Sequence, residues 1–201
     1  MRLIYTVGPS GVGKDSLLNG LRQDVDAMAN RPALHFAQRT ITRNHDKSNE
    51  DHEAVNVAKF AKLQEEKAFA LVWVANGLHY GIRHTELAPK GDGAWVIVNG
   101  SRGYLDEARK RLPGLTVLHI TAPTEVLRQR LLARGRESEK DIEQRLLRPQ
   151  SVLLGPQDLC LSNGGTLEAS GLALRQLLSQ HTGLPLSVAG ESSKCHGCDV
   201  I

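Results

Sequence analysis

Seven residues near the start of the chain, Gly8-Pro9-Ser10-Gly11-Val12-Gly13-Lys14, have the types and spacing that do phosphate chemistry. They fit the pattern G-x-x-x-x-G-K, in which glycines let backbone N–H groups turn inward around phosphate oxygens. An apolar run over residues 2–7 precedes the loop and a helical pattern follows it. The loop therefore opens onto a helix N-terminus with its partial positive charge. Lys14 is placed to reach the β- and γ-phosphates of a nucleotide, and Asp15 and Ser16 continue the cradle.

One position departs from the pattern. The Ser or Thr that should follow the lysine and ligate Mg²⁺ is Asp15. A carboxylate can take that role, because Mg²⁺ prefers hard oxygens. A second departure matches it. The apolar run 94–98 should end in a carboxylate that supports the metal. It runs instead into Asn99-Gly100-Ser101-Arg102. The acid missing from the strand end is expected to have moved to Asp15; the alternative is that Asp15 only caps the helix.

Elements that must position these residues can be read from periodicity. Ser16 to Val25 places Leu17, Leu18, Leu21 and Val25 on one helical face. Short strands are expected at 34–37, 69–75, 94–98, 115–121 and 159–161, the second closed by the turn signal Asn76-Gly77. Helices are expected at 57–67, with Val57, Phe60, Ala61 and Leu63 inward, and at 123–133, 139–148 and 167–180. Residues 38–56 are polar and read as a loop or lobe. Strands alternating with helices predict an α/β fold with a parallel sheet.

Composition bounds the function. A chain of 201 residues is one domain, or one core with small lobes. Its net charge of +3 is too balanced to argue for nucleic acid. No apolar run approaches the ~20 residues that cross a bilayer, and no signal-peptide pattern is seen. Three cysteines, Cys160, Cys195 and Cys198, give no disulfide framework, so a cytoplasmic protein is expected. Cys195-His196-Gly197-Cys198 is half a zinc site at best and reads as incidental. The tail from Gly183 is expected to be mobile.

The glycine-rich loop resembles the opening of guanylate kinases, and Thr42-Arg43, Phe69, Gly77, Tyr80-Gly81 and Arg134-Gly135-Arg136 follow in that family's order. The likeness covers roughly residues 1–180. It implies a P-loop kinase of the nucleoside-monophosphate-kinase type: a core (1–33 and 84–182), an acceptor-binding lobe (about 34–83) and a lid (about 134–148). Two positions argue against guanine as the acceptor. Leu71 stands where that family has a base-reading glutamate, and Arg39 where it has a base-contacting serine. A leucine there would leave polar base edges unpaired.

A narrower set is similar to the ribose 1,5-bisphosphate phosphokinases of phosphonate breakdown. It comprises Gly-Lys-Asp-Ser (13–16), Ile41-Thr42-Arg43, Glu50-Asp51-His52, Trp73-Val-Ala-Asn-Gly (73–77), Asn99-Gly-Ser-Arg (99–102) and Arg134-Gly-Arg-Glu (134–137). That resemblance implies ATP and Mg²⁺ as cofactors and a small bisphosphate acceptor. It implies that Lys14, Arg134, Arg136 and Arg145 act on the transferred phosphate. Arg39, Arg43, His52, Tyr80 and Arg102 would bind the acceptor, and Asp15 the metal. The segment Asp158 to Gly165 is where adenine would lie. The competing expectations are a guanylate kinase and a non-catalytic binding module; retention of Lys14 and the Arg-Gly-Arg lid argues against the second.

Overall fold

A computed structural model describes residues 2–43, 52–88, 91, 93–135, 138–147 and 152–186. Five parallel strands form the core sheet in the order β2-β7-β1-β8-β9. They are β1 (Arg2–Val7), β2 (Leu34–Phe36), β7 (Trp95–Asn99), β8 (Thr116–Thr121) and β9 (Leu159–Ser162). Central β1 reads Leu-Ile-Tyr-Thr-Val over 3–7 and is buried at every one of those positions. That is the pattern of a parallel strand covered on both faces.

Alternation sends Ile4, Ile97, Leu118 and Ile120 to one face. There they meet Leu17, Leu21 and Val25 of α1 (Lys14–Ala27) and Leu174 and Leu178 of α7 (Leu167–Thr182). Leu3, Tyr5, Val7, Val96, Val98 and Val117 go to the other face, against Leu105 and Ala108 of α4 (Leu105–Arg111).

A second, four-stranded sheet has the order β4-β3-β6-β5. Its strands are β3 (Arg39–Ile41), β4 (His52–Ala54), β5 (Phe69–Ala75) and β6 (Leu78–Arg83). The β5–β6 hairpin turns at Asn76-Gly77, both with positive φ, as the sequence signal requires. Helix α2 (Val57–Glu65) is capped by Asn56 and packs Phe60 on Phe69 at 4.7 Å. Four-residue α3 (His84–Leu87) leads back to the core. Beyond β8 lie α5 (Thr124–Arg134) and α6 (Glu139–Leu146), the latter capped by Ser138.

Four expectations need correction. Residues 34–36 pair with β7 in the core sheet, so the lobe's strands begin at Arg39 rather than at 34. Part of the polar stretch 38–56 is strand: β3 and β4 hold register through backbone bonds, which hydropathy does not report. Val57 and Ala61 are exposed, so the inward face of α2 is carried by Phe60, with Leu63 partly buried beside it. Gly183–Leu186 is ordered by packing, with Leu186 fully buried against the α7 side of the core. Residues 187–201, with Cys195 and Cys198, lie outside the described residues.

Candidate active site

β1 delivers the glycine-rich loop to the C-terminal edge of the core sheet. Gly13 is the N-cap of α1 with φ 88°, and no side chain caps the helix. The first amides of α1 are therefore left to a ligand. A Cβ on Gly13 would stand 2.7 Å from Asn163 Nδ2, so glycine is required for space as well as for φ. Asn163 is buried and donates to Val12 O at 2.6 Å. Arg130 reaches the same carbonyl at 3.4 Å and those of Asn163 and Gly165 at 2.8 and 3.3 Å. The loop's shape is thus held from α5 and from the segment after β9.

Lys14 Nζ folds back to Gly8 O at 3.1 Å. Burial pulls its pKa down to about 8. The guanidiniums of Arg39, Arg102 and Arg134 act the same way and Asp15 opposes them. Three arginines from three elements therefore lie within electrostatic reach of the loop lysine. Arg145 of α6 donates to Ser10 Oγ at 3.1 Å, which puts a fourth on the loop. Arg136 lies outside the described residues.

Asp15 does not cap α1. Its Oδ1 accepts from Asn99 Nδ2 at 2.5 Å and from Arg39 Nη2 at 3.3 Å. Arg39 also donates to Asn99 O at 3.4 Å, so one guanidinium ties the lobe to the end of β7. It lies 5.7 Å over the Tyr80 ring, and Tyr80 stacks on Trp73 at 5.4 Å, 4° from parallel. His52 is buried one strand away, in register with Arg39. Arg43 follows β3, half-buried. Arg102 opens the 3-10 turn after β7. The tight turn before it is explained by Tyr5. A Cβ on Gly100 would enter the Tyr5 ring, and Tyr5 Oη accepts from Ser101 N at 3.0 Å. Leu71 is wholly buried in the core against Trp73 and Ile82.

This arrangement is a phosphate loop, a buried lysine and converging arginines beside a lobe with no carboxylate at position 71. Such a site suits phosphate-bearing small molecules. Comparisons with known proteins agree. The chain is 45% identical over 175 residues to the ribose 1,5-bisphosphate phosphokinase PhnN of Pseudomonas paraeruginosa, covering 86% of this chain and 92% of that protein. It is 44% identical over 178 residues to the PhnN of Azotobacter vinelandii, covering 88% and 95%. The chain belongs to the ribose 1,5-bisphosphate phosphokinase family. No family model matches it. The guanylate kinase of Anaplasma phagocytophilum superposes with a TM-score of 0.60 over 92% of this chain and 88% of that one. At 15% identity, that likeness concerns the P-loop kinase fold.

Within the phosphokinase family's fold, the structure brings Lys14, Asp15, Arg39, Arg102, Arg134 and Arg145 to one edge of the core sheet. Arg130, Asn163 and His119 were not singled out by sequence. Arg130 sits in an ordinary amphipathic helix, and Asn163 lies in the segment expected only to contact adenine. His119 is buried on β8, in register with Val7, and its Nε2 has no hydrogen-bond partner among the described residues. Its pKa is lowered by burial and then by Arg102 and Lys14. Asp158, in the same expected adenine segment, is structural: its carboxylate accepts from Arg109 at 2.7 Å, Val117 N at 2.7 Å and Gly155 N at 2.8 Å.

Proposed function

We propose that this chain transfers the γ-phosphoryl group of ATP to the 1-phosphate of ribose 1,5-bisphosphate, yielding ADP and 5-phosphoribosyl 1-diphosphate. Family membership carries the reading, and the leucine and arginine at 71 and 39 support it against a nucleobase acceptor. An oxygen of the 1-phosphate attacks the γ-phosphorus, and the bond to the β-phosphate oxygen breaks with its electron pair leaving on ADP. A phosphate monoester has its second pKa near ~6, so the attacking oxygen needs no general base. The protein's task is then positioning and charge neutralisation.

Gly8, Pro9, Ser10, Gly11, Val12 and Gly13 cradle the β- and γ-phosphates, with Ser16 just inside the helix. Lys14, Arg134, Arg136 and Arg145 neutralise the charge that spreads over the transferred group. Arg39, Arg43, His52, Tyr80 and Arg102 hold the acceptor. Mg²⁺ fits beside Asp15. Its carboxylate is half-exposed, and the neighbouring Asn99 Oδ1 is a buried oxygen with no hydrogen-bond partner among the described residues. Mg²⁺ is commonly held by one or two carboxylates plus phosphate oxygens, so this small donor set suffices. Held by Asp15 and Asn99, a bound Mg²⁺ would supply positive charge that offsets the phosphates. A cytoplasmic location fits ATP as the donor.

The test is ADP release with Mg-ATP and, in parallel, ribose 1,5-bisphosphate, ribose 5-phosphate and GMP. Turnover with the bisphosphate alone, giving a product that phosphoribosyltransferases accept, is expected. Turnover with GMP would overturn the reading.

A further inference from the structure

Tyr80, Trp73 and Tyr104 form a column of three rings that crosses from the lobe to the core. Trp73 and Tyr80 are register partners on β5 and β6, with their rings 5.4 Å apart and 4° from parallel. Trp73 also stacks on Tyr104, at 5.8 Å and 28°. The indole is 6% exposed and belongs to the cluster in which the lobe strands meet Tyr5, Val96 and Val98 of the core sheet. One such pair would be ordinary packing. Three rings in series, rooted in both sheets, are a mechanical link.

Each end of the column leads to an arginine of the acceptor site. Arg39 of β3 lies 5.7 Å over the Tyr80 ring. Tyr104 closes the 3-10 turn that Arg102 opens, its N–H donating to Ser101 O at 3.1 Å. The turn that presents Arg102 is therefore pinned twice: by Tyr5, whose Oη accepts from Ser101 N, and by Trp73 through Tyr104. Stacked rings, and a guanidinium over a ring, hold preferred separations. Two cations that grip one small anion need such a fixed spacing, because a misplacement of about 1 Å can cost on the order of 10²-fold in rate.

We propose that Trp73 is a positioning residue for the acceptor: through Tyr80 and Tyr104 it sets how far apart Arg39 and Arg102 stand. The inference rests on the acceptor roles given to those arginines above. An indole with no charge of its own then controls the spacing of two cations carried by different sheets.

Trp73→Leu and Trp73→Phe test it, because leucine fills space without a ring and phenylalanine keeps a ring in the column. Trp73→Leu should raise the KM for ribose 1,5-bisphosphate roughly 10- to 100-fold and leave the KM for ATP little changed, and Trp73→Phe should recover most of the loss. Tyr104→Leu, at the less buried end, breaks the link to Arg102 and should raise the acceptor KM in a protein that melts near the wild-type temperature. Acceptor and ATP KM rising in step, or leucine and phenylalanine costing the same, would overturn the assignment and leave Trp73 as core filling. A second readout needs no turnover. In Trp95→Phe, Trp73 is the one indole left. Its emission should shift when ribose 1,5-bisphosphate binds and not when ATP binds, since the acceptor engages the arginines at the column's ends. Unchanged emission at saturating bisphosphate would also overturn the assignment. If the wild type turns over no bisphosphate yet the bisphosphate shifts Trp73 emission, the reaction assigned above fails and the positioning role stands.

Discussion

Asn99 donates its side-chain amide to the carboxylate of Asp15 at 2.5 Å, joining the end of β7 to the first turn of α1. The carboxylate stands on the loop helix and the uncharged amide at the strand end. Arg39 shares Asp15 at 3.3 Å, so the residues proposed for acceptor and for metal touch each other.

Asp15→Asn is expected to raise the Mg²⁺ concentration needed for half-maximal rate about tenfold or more, since a ligand carboxylate becomes a neutral amide. Adding Asn99→Asp to that variant returns the carboxylate from the strand side and should recover part of the loss. Rates measured across a Mg²⁺ titration decide it. An unchanged requirement in Asp15→Asn would show that this carboxylate does not hold the metal.

Lys14 makes ATP binding depend on pH. Its pKa, lowered to about 8 by burial, leaves a growing neutral fraction as pH rises past that value. Phosphates beside it favour the charged form, so ATP binding above pH 8 must draw in a proton. Calorimetry in two buffers of different ionisation enthalpy at pH 8.5, a pH chosen to lie above that pKa, should show net proton uptake. The uptake should vanish in Lys14→Met.

The phosphate loop should depend on a residue outside it. Asn163→Ala removes the 2.6 Å bond to Val12 O and leaves that acceptor buried. A cost of ~1–3 kcal/mol in unfolding free energy is expected. The KM for ATP should rise together with the loss of stability in urea titrations. A rise in neither would mean that Arg130 alone shapes the loop.

His119 should make the fold sensitive to acid. Its pKa is held below the ordinary 6.5 by burial first, then by Arg102 and Lys14. The unfolded chain therefore binds its proton more readily than the folded one. That contribution to stability is complete above the unfolded value and is lost as pH falls through the folded one. The melting temperature of the wild type should fall between pH 7 and 5 more steeply than that of His119→Gln, with the pH range set by an unfolded histidine near ~6.5. Parallel curves would show that His119 does not titrate in that range.

Leu71→Glu should not create a guanylate kinase. Position 71 is wholly buried in the apolar cluster with Trp73, Ile82 and Tyr80, so a new carboxylate there would be taken out of water. An unpaired buried charge is costly enough to shift its pKa or open the core. A large drop in melting temperature without GMP turnover is the expected result.

Much of this protein was legible in its residues. Gly8 to Lys14 announce a phosphate loop because glycine spacing and one lysine are local requirements of backbone geometry. Continuous apolar runs gave the parallel core, and Asn76-Gly77 the hairpin, since turns and covered strands are dictated by neighbouring residues. Strands β3 and β4 were not legible, because three-residue strands are held by pairing partners rather than by their own pattern. Nor was the burial of Leu186, which depends on where α7 ends against the sheet. The site divides the same way. Residue types at positions 15 and 99 raised the expectation that an acid had moved. Only the tertiary structure decided that the two side chains meet, that Arg39 crosses from the lobe to join them, and that Asn163, on a segment 151 residues further along, secures Val12. Local chemistry is written in sequence order; contacts between distant segments exist only once the chain has packed.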